Sequence, residues 1–536
     1  PCYLRGYFQL HIINNNFYEY KNLLVRSYFP GKMNLCFEEE KSIFDLLKKY
    51  NVCLRCCFRF IGCRSHDSYE NPFESAKRVR LNLGYIINVP EDSWNEPACA
   101  ACLGILQNDV QETLLRKIRA KVEREGYDCS TFTCALTIPV CTWLRERLLL
   151  IHCSNELSLS HDILTSLKLK VQNIKDVLKW RIIPKLEETI KKRADLIGPS
   201  PFLIEAFLLY DNDDKECEKV QTTINANNKQ KRKRNENKIS RKGVEVLLSE
   251  ISDEKFSTCY TSQVLETIAQ INVGDVLCSH TSVFVGGRYN KLSRQLSQTP
   301  WFINGEKKME TSVQDLLCAP IAFTAKAETI KFLSSGREDV DVRNIYSGRP
   351  FAVELVNPRM TNITESILSD LVTQVNKSSD QVQIVSKLKV LSRNDLKLLK
   401  EGENVKTKFY RALCVCRNGS RETIDLERLN KLKRVKIIQK TPIRVLHRRP
   451  LSPRCRYVYE MRARWTKPEE VEKLLRTVTE TADQFFVIDV KTQAGTYVKE
   501  FVHGDFGRTK PSLCDLLGIE VDIVALDVTG INLNWP

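Results

Sequence analysis

Two clusters in the sequence carry residue types whose spacing can do chemistry. Cys53-Leu54-Arg55-Cys56 and Cys99-Ala100-Ala101-Cys102 are two C-x-x-C knuckles with 42 residues between them. Each knuckle turns two thiolates toward one ion, and four thiolates complete a tetrahedral zinc site with no open coordination position. Such a site is structural. Unrelated buried thiols and a thioredoxin-like redox pair are the competing readings, and the matching of two pairs favours zinc over the latter. Cys57 and Cys63 are left outside the metal.

The second cluster is Ser334-Ser335-Gly336-Arg337-Glu338-Asp339-Val340-Asp341-Val342-Arg343. An Asp beside Arg stays ionised because the cation lowers its pKa, and an ionised carboxylate can act as nucleophile or base. On composition alone a surface loop of Arg/Asp ion pairs fits better than an active site. Metal chelation by Glu338, Asp339 and Asp341 is opposed by Arg337 and Arg343. Further along, Lys491 to Lys510 reads as a strand, a Gly turn at Gly495 and a helix. Lys499, Arg508 and Lys510 suit phosphate contact, and an inward Lys499 can pair a buried carboxylate. Plain architecture explains that turn equally. Residues 431–455 hold nine Lys/Arg and no acid, a stripe that either tracks a phosphate backbone, with steep salt dependence, or is a solvated face.

The elements that position these groups follow from hydrophobic spacing. A helix runs from Phe37 to Leu47 into the first knuckle, and apolar positions from Asp109 to Arg124 recur at three and four residues. Thr131–Val140 and Phe202–Leu209 read as strands around helical segments at 158–178 and 179–195, which suggests an α/β module. From 271 onward β segments dominate: Ser282–Val285, Ile321–Phe323, Phe351–Leu355, Phe409–Val415, Tyr457–Arg462 and Phe485–Val490. Helical patterns fall at 361–374, 424–432, 468–482 and 497–503.

The chain has 536 residues and a formal charge of +16, of which 271–536 carries +11 (42 Lys/Arg less 31 Asp/Glu). A polyanionic partner is expected. No apolar run approaches the roughly 18 residues of a membrane span. Twenty cysteines without a secretory signal imply a reducing compartment. Residues 1–32 precede the first methionine, Met33, and read as a non-native or upstream extension. The loop at 211–243 is acidic, then polar, then basic through Lys229-Gln230-Lys231-Arg232-Lys233-Arg234, suiting nucleic acid contact, nuclear import or mere solvation.

Gly336 to Arg343 resembles the catalytic motif of pseudouridine synthases. With Gly348-Arg349-Pro350-Phe351, Phe284-Val285-Gly286-Gly287-Arg288-Tyr289-Asn290-Lys291, Thr299-Pro300-Trp301, the run Lys440 to Pro450 and the run Lys491 to Pro511, the chain resembles the archaeal and eukaryotic tRNA pseudouridine-54/55 synthase family. The match is strong over 271–536 and weaker over 33–270.

The resemblance implies an α+β to α/β protein: a catalytic domain (271–536) with a central mixed antiparallel sheet flanked by helices, a zinc-binding module (33–108), and a THUMP-like accessory domain (109–270). It implies isomerisation of T-arm uridines 54 and/or 55 without an organic cofactor, on a flipped base. Asp339, rather than Asp341, falls at the nucleophile, Tyr410 at the stacking tyrosine, Lys499 at the basic partner of the nucleophile and Val498 at the apolar wall. Arg337 would fill the space the base vacates. Arg288, Arg343, Arg444, Arg448, Arg449, Arg508 and Lys510 are expected on RNA, and Cys53, Cys56, Cys99 and Cys102 on structural zinc. A monomer in nucleus and cytoplasm, holding the tRNA acceptor stem and T-arm, is expected. The rival is a non-catalytic RNA-binding protein, for instance in primary microRNA processing. A zinc deaminase would need an H-x-E motif, which does not occur.

Overall fold

The computed structural model describes residues 37–81, 97–195, 198–218, 220, 241–266, 271–405, 407–467, 469 and 484–536. Residues 1–32, the basic run Lys229–Arg234 and most of the helical pattern at 468–482 lie outside the described residues. The chain divides into two compact units, one ending at Cys278 and the other running from Ser279 to Pro536, which also takes in Gly126–Cys129. The expected zinc module falls in the first unit, as does the accessory domain apart from Gly126–Cys129. No helix among the described residues is long and apolar enough to cross a membrane.

In the first unit, α1 (Phe37–Lys49) and α2 (Leu54–Phe60) bracket the first knuckle. Helix α3 (Asn108–Glu125) buries Val110, Leu114, Ile118 and Val122, one apolar stripe at every fourth residue. Strand β1 (Thr131–Thr137), helices α4 (Cys141–Glu156) and α5 (Ile174–Ile190), β2 (Arg193–Ala194) and β3 (Phe202–Leu209) follow. Both β2 and β3 run parallel to β1, because the chain returns through helices rather than a hairpin. Strand β4 (Asn272–His280) completes the order β2-β1-β3-β4. The expected helices at 158–178 and 179–195 are realised as Ile174–Ile190 and a shorter helix at His161–Lys170.

The second unit is built on one mixed sheet. Its first half holds β5 (Val283–Lys291), helix α6 (Val313–Ala325), β6 (Thr329–Ser334), β7 (Arg343–Val356), α7 (Glu365–Ser378), β8 (Val382–Ile384) and β9 (Lys389–Leu391). Its second half holds β10 (Thr407–Cys416), β11 (Lys433–Gln439), β12 (Arg454–Trp465), β13 (Phe485–Gln493), α8 (Val498–His503), β14 (Thr509–Lys510), α9 (Leu513–Leu517) and β15 (Val521–Ile531). The strand order is β8-β5-β7-β15-β10-β13-β12-β11-β14, with β9 on β5 and β6 on β7. The pairing is antiparallel except where β15 joins β7, with Asp527 opposite Arg343 and Val528 opposite Asn344. The two halves of the sheet meet at that parallel seam, and the loop 335–342 enters it.

Two cores lie on the sheet. Leu317, Ile321, Leu368, Leu371 and Val375 pack on Val285, Phe351 and Val353 in the first half. Val498, Phe501 and Leu513 pack on Ala412, Ile488, Val490 and Val528 in the second. Ile321–Phe323, expected as a strand, lies inside α6. Three apolar residues do not carry a period, and Ser312, whose hydroxyl accepts from the Asp315 amide, starts a helix there. Within the cationic stretch 431–455, β11 stops at Gln439 and a 3-10 turn occupies Ile443–Arg448.

Candidate active site and candidate metal centre

The four knuckle cysteines meet. One sulfur from each of Cys53, Cys56, Cys99 and Cys102 lies within 4.8 Å of the others, and Cys53 Sγ is 4.0 Å from Cys102 Sγ. Zinc–sulfur bonds of about 2.3 Å require tetrahedral edges of about 3.8 Å, so the cluster fits the ion. The backbone amides of Cys53 and Cys102 both point at Cys99 Sγ, at 3.2 and 3.5 Å, as a thiolate acceptor requires. Burial pushes the Cys56 thiol up. For Cys99, hydrogen bonding from the other three thiols and the Cys53 amide outweighs burial and holds its value well below that of an ordinary thiol. The sulfurs are almost wholly buried, which suits structural binding and leaves no position for substrate. Cys57 donates to the Val52 carbonyl instead.

The second site begins with backbone control of 335–342. Gly336 has φ +91°, a backbone conformation that favours glycine, and a Cβ there would meet Arg349 Nη1 and Lys408 Nζ at 2.9 Å. The Gln298 amide donates to Ser334 Oγ and to the Gly336 carbonyl, both at 3.0 Å. Buried Lys291 donates to the carbonyls of Leu296, Asp339 and Val340 at 2.8, 3.2 and 2.6 Å. Its burial lowers its pKa to about 8, against the pull of Glu338, Asp341 and Asp339.

Within the loop the carboxylates part company. Glu338 turns inward, where Arg349 Nε lies 2.6 Å from it and the Tyr289 hydroxyl donates at 2.8 Å. Both members of that ion pair are sealed, at 2% and 0% side-chain exposure. Asp339 and Asp341 turn outward. Arg444 Nη1 is 2.8 Å and Lys499 Nζ 3.6 Å from Asp339 Oδ2. Lys499 also donates to both Asp341 oxygens at 2.7 Å. Although burial opposes it, that ammonium holds Asp341 below the ordinary carboxylate value.

The chain places Arg337 and Arg343 beside the aspartates and the resemblance places Lys499 there; Lys499 lies 3.6 Å from Asp339, whereas the two arginines go elsewhere. Arg337 is exposed, and Arg343 forms a two-point pair with Asp527 at 2.9 and 2.7 Å. The partners of Asp339 come from the distant 3-10 turn and from α8. Arg444, expected on RNA, is therefore in the carboxylate cluster, where its Nε also donates to Glu500 at 2.7 Å. Tyr410 on β10 lies close enough to Arg349 to feel its charge, and burial pushes its phenol up to about 12. It is a neutral hydroxyl-bearing ring at neutral pH. Val498 is buried among Phe501 and Val502.

The other expected RNA contacts are dispersed. Arg288 donates to carbonyls of Ser347, Gly348, Leu533 and Trp535. Arg508 holds the Thr441 carbonyl through Nε and Nη2 at 3.0 and 2.7 Å. Arg449 and Lys510 are exposed, and the Arg448 side chain lies outside the described residues. Gln298, Lys291 and Glu500 had no role in the sequence reading, and Glu338 entered it only as a metal-chelation candidate, together with Asp339 and Asp341. Glu338, Gln298 and Lys291 support the loop from beneath, and the motifs containing Glu338, Lys291 and Arg349 were the signal for that layer.

Comparison with known proteins gives two family matches. Residues 284–532 match a family model described as Pus10, C-terminal, and residues 99–278 one described as Eukaryotic Pus10, N-terminal. The chain is 33% identical over 546 residues to a Homo sapiens protein named tRNA pseudouridine synthase Pus10, covering 93% of this chain and 98% of that one. The Mus musculus protein of that name is 34% identical over 544 residues, again 93% and 98%. A Thermofilum pendens protein of that name is 35% identical over 290 residues, 53% of this chain and 60% of the other. Among solved structures, a chain of a Cbf5-Nop10-Gar1 complex aligns with TM-score 0.24 and 14% identity, covering 46% and 49%, a likeness too slight to carry an argument.

Proposed function

The chain belongs to the Pus10 family of tRNA pseudouridine synthases, and from that premise we propose that it isomerises uridine 54, uridine 55 or both in the tRNA T-arm, with Asp339 as nucleophile on a flipped base. The observation that carries this reading is Asp339 itself: a carboxylate about one third exposed, on a loop fixed from beneath, with Arg444 and Lys499 on one of its oxygens. A partly exposed carboxylate flanked by two cations can reach a substrate, whereas Glu338, sealed against Arg349, cannot.

The chemistry proceeds at the ribose. In one route an Asp339 oxygen bonds to C1′ as the C1′–N1 bond breaks, its electron pair leaving on uracil. The base turns, C5 bonds to C1′ as the Asp339 oxygen departs, and C5 then loses its proton while N1 gains one. In the other, Asp339 takes the C2′ proton as uracil leaves, and returns it after C5 has bonded. Both begin from an ionised carboxylate in a site the base must enter. Flipping costs a few kcal/mol, offset by stacking worth about 1–3 kcal/mol per base. Tyr410 supplies the ring and, as a neutral phenol, a proton donor or acceptor. Lys499 and Arg444 hold charge opposite Asp339, Val498 gives an apolar wall, and Arg337, exposed on the same loop, is free to enter the vacated stack. Arg449 and Lys510 meet phosphate. Cys53, Cys56, Cys99 and Cys102 hold zinc, which when bound braces the first unit and takes no part in the reaction. The enzyme acts as a monomer, in nucleus and cytoplasm.

The test is pseudouridine mapping on an unmodified tRNA transcript with wild type, Asp339→Ala and Asp341→Ala. Product at position 54 or 55 with wild type, none with Asp339→Ala and reduced but measurable product with Asp341→Ala are expected. Full activity in Asp339→Ala removes the nucleophile assignment. No product from folded, tRNA-binding wild type favours RNA binding without catalysis.

A further inference from the structure

Asp339 is served by two cations, and each is also tied to a carboxylate that does not react. Lys499 is tied to Asp341 at 2.7 Å, and Arg444 is tied to Glu500 at 2.7 Å. The Glu500 side chain is 3% exposed and that of Arg444 38%. Oε2 of Glu500 is buried with no hydrogen-bond partner, and Arg444 is its one cationic neighbour among the described residues. A carboxylate removed from water is costly unless paired and hydrogen-bonded, and this one faces a guanidinium that could otherwise extend into solvent.

We propose that Glu500 is a positioning residue that acts through Arg444, fixing the guanidinium on Asp339 independently of the charge Asp339 carries. The inference rests on the assignment of Asp339 as nucleophile. The guanidinium is planar and its donors sit in a fixed fork. With Nε committed to Glu500, the plane is set and Nη1 is delivered to Asp339 Oδ2 at 2.8 Å. When the Asp339 oxygen bonds to C1′, or takes a proton, its charge disappears and so does its hold on both cations. Arg444 then remains where Glu500 keeps it, as Lys499 remains on Asp341. The cations are already in place when the carboxylate charge is regenerated, so no reorganisation is needed at that step.

Single-turnover rates and tRNA Kd values of the full chain test this with Glu500→Gln, Arg444→Ala and the double variant. Glu500→Gln is expected to slow the chemical step about 10- to 100-fold, the range a small misplacement of a catalytic group causes, with tRNA Kd within about 3-fold of wild type. Glu500→Asp should recover part of the rate. The double variant should be no slower than Arg444→Ala, since a residue acting through another adds nothing once that other is gone. A wild-type rate in Glu500→Gln, or a double variant slowed by the product of the single effects, overturns the proposal. Should Glu500→Gln fail to fold, Arg444→Lys serves. One ammonium cannot span both carboxylates, so the rate should fall about 10-fold or more, and an unchanged rate overturns the proposal. Asp339→Ala is run alongside. If it is active the premise fails, whereas an inactive Asp339→Ala with a wild-type rate in Glu500→Gln rejects the tether alone.

Discussion

The cysteine cluster and the aspartate cluster are built in opposite ways. Each pair of cysteines belongs to one turn, and the sulfurs are sealed, with Cys53 the most exposed of the four at 5%. The cluster could hold an ion and leaves no opening for a substrate. Asp339 is 35% exposed and draws Arg444 and Lys499 from more than a hundred residues away, so the ion-paired face stays open. Between these extremes lies Glu338, adjacent to Asp339 in sequence yet sealed like the cysteines. Closure suits a group that must stay fixed, and openness suits the role proposed for Asp339, which would meet a substrate and change charge.

The largest expected effect tests closure at the cysteines. The protein should carry one zinc ion per chain by atomic absorption, and Cys53→Ser combined with Cys102→Ser should carry none. Structural zinc contributes about 10–16 kcal/mol of apparent binding free energy, so the first unit of that variant should lose its cooperative unfolding transition in calorimetry. A serine variant that melts like wild type would break the contrast. Next, Arg349→Met leaves Glu338 buried without its cation. Breaking a buried pair costs about 3–5 kcal/mol, read by urea unfolding, and a change below about 1 kcal/mol would place Glu338 with the open group.

The smallest effect concerns Lys291, whose pKa in the folded state is about 8 against 10.5 normally. Below pH 8 both folded and unfolded chains hold the proton. Between about pH 8 and 10.5 the unfolded chain holds more, so wild-type stability rises with pH relative to Lys291→Met, by at most about 3 kcal/mol. Urea unfolding of both proteins at pH 7.5 and 10 checks this. A difference that does not change with pH would mean that the sealed layer under the loop is wetter than its geometry implies.

The contrast also explains what the sequence could tell. The knuckles were legible because metal ligation is written in local spacing, and two matched pairs are hard to produce by accident. The alternation that marks β10, β12 and β13 was legible too, since each strand buries one face. The short apolar run at 321–323 was not, because helix and strand differ there only by flanking signals. The partners of Asp339 were half legible: Lys499 came through the motif around it, whereas Arg444 sat in a cationic stretch and looked like one more phosphate contact. No local pattern records that its Nε faces Glu500. The charges beside Asp339 in the chain pointed elsewhere, Arg343 to Asp527.

The parallel seam between β7 and β15 sets an order of assembly. The loop bearing Asp339 and Asp341 leaves the ribosome well before Lys499, and β15, whose Asp527 receives Arg343 and Arg294, comes later still. Contacts so far apart along a chain are slow to form and leave unpaired strand edges exposed in the interval. A nascent chain that has made β5 and β7 thus carries Asp339 and Asp341 but neither their cations nor the strand that joins the two halves of the sheet. If Asp339 is the nucleophile as proposed, an interrupted chain lacks the groups that serve it, and it would be a client for chaperones before it could be a catalyst.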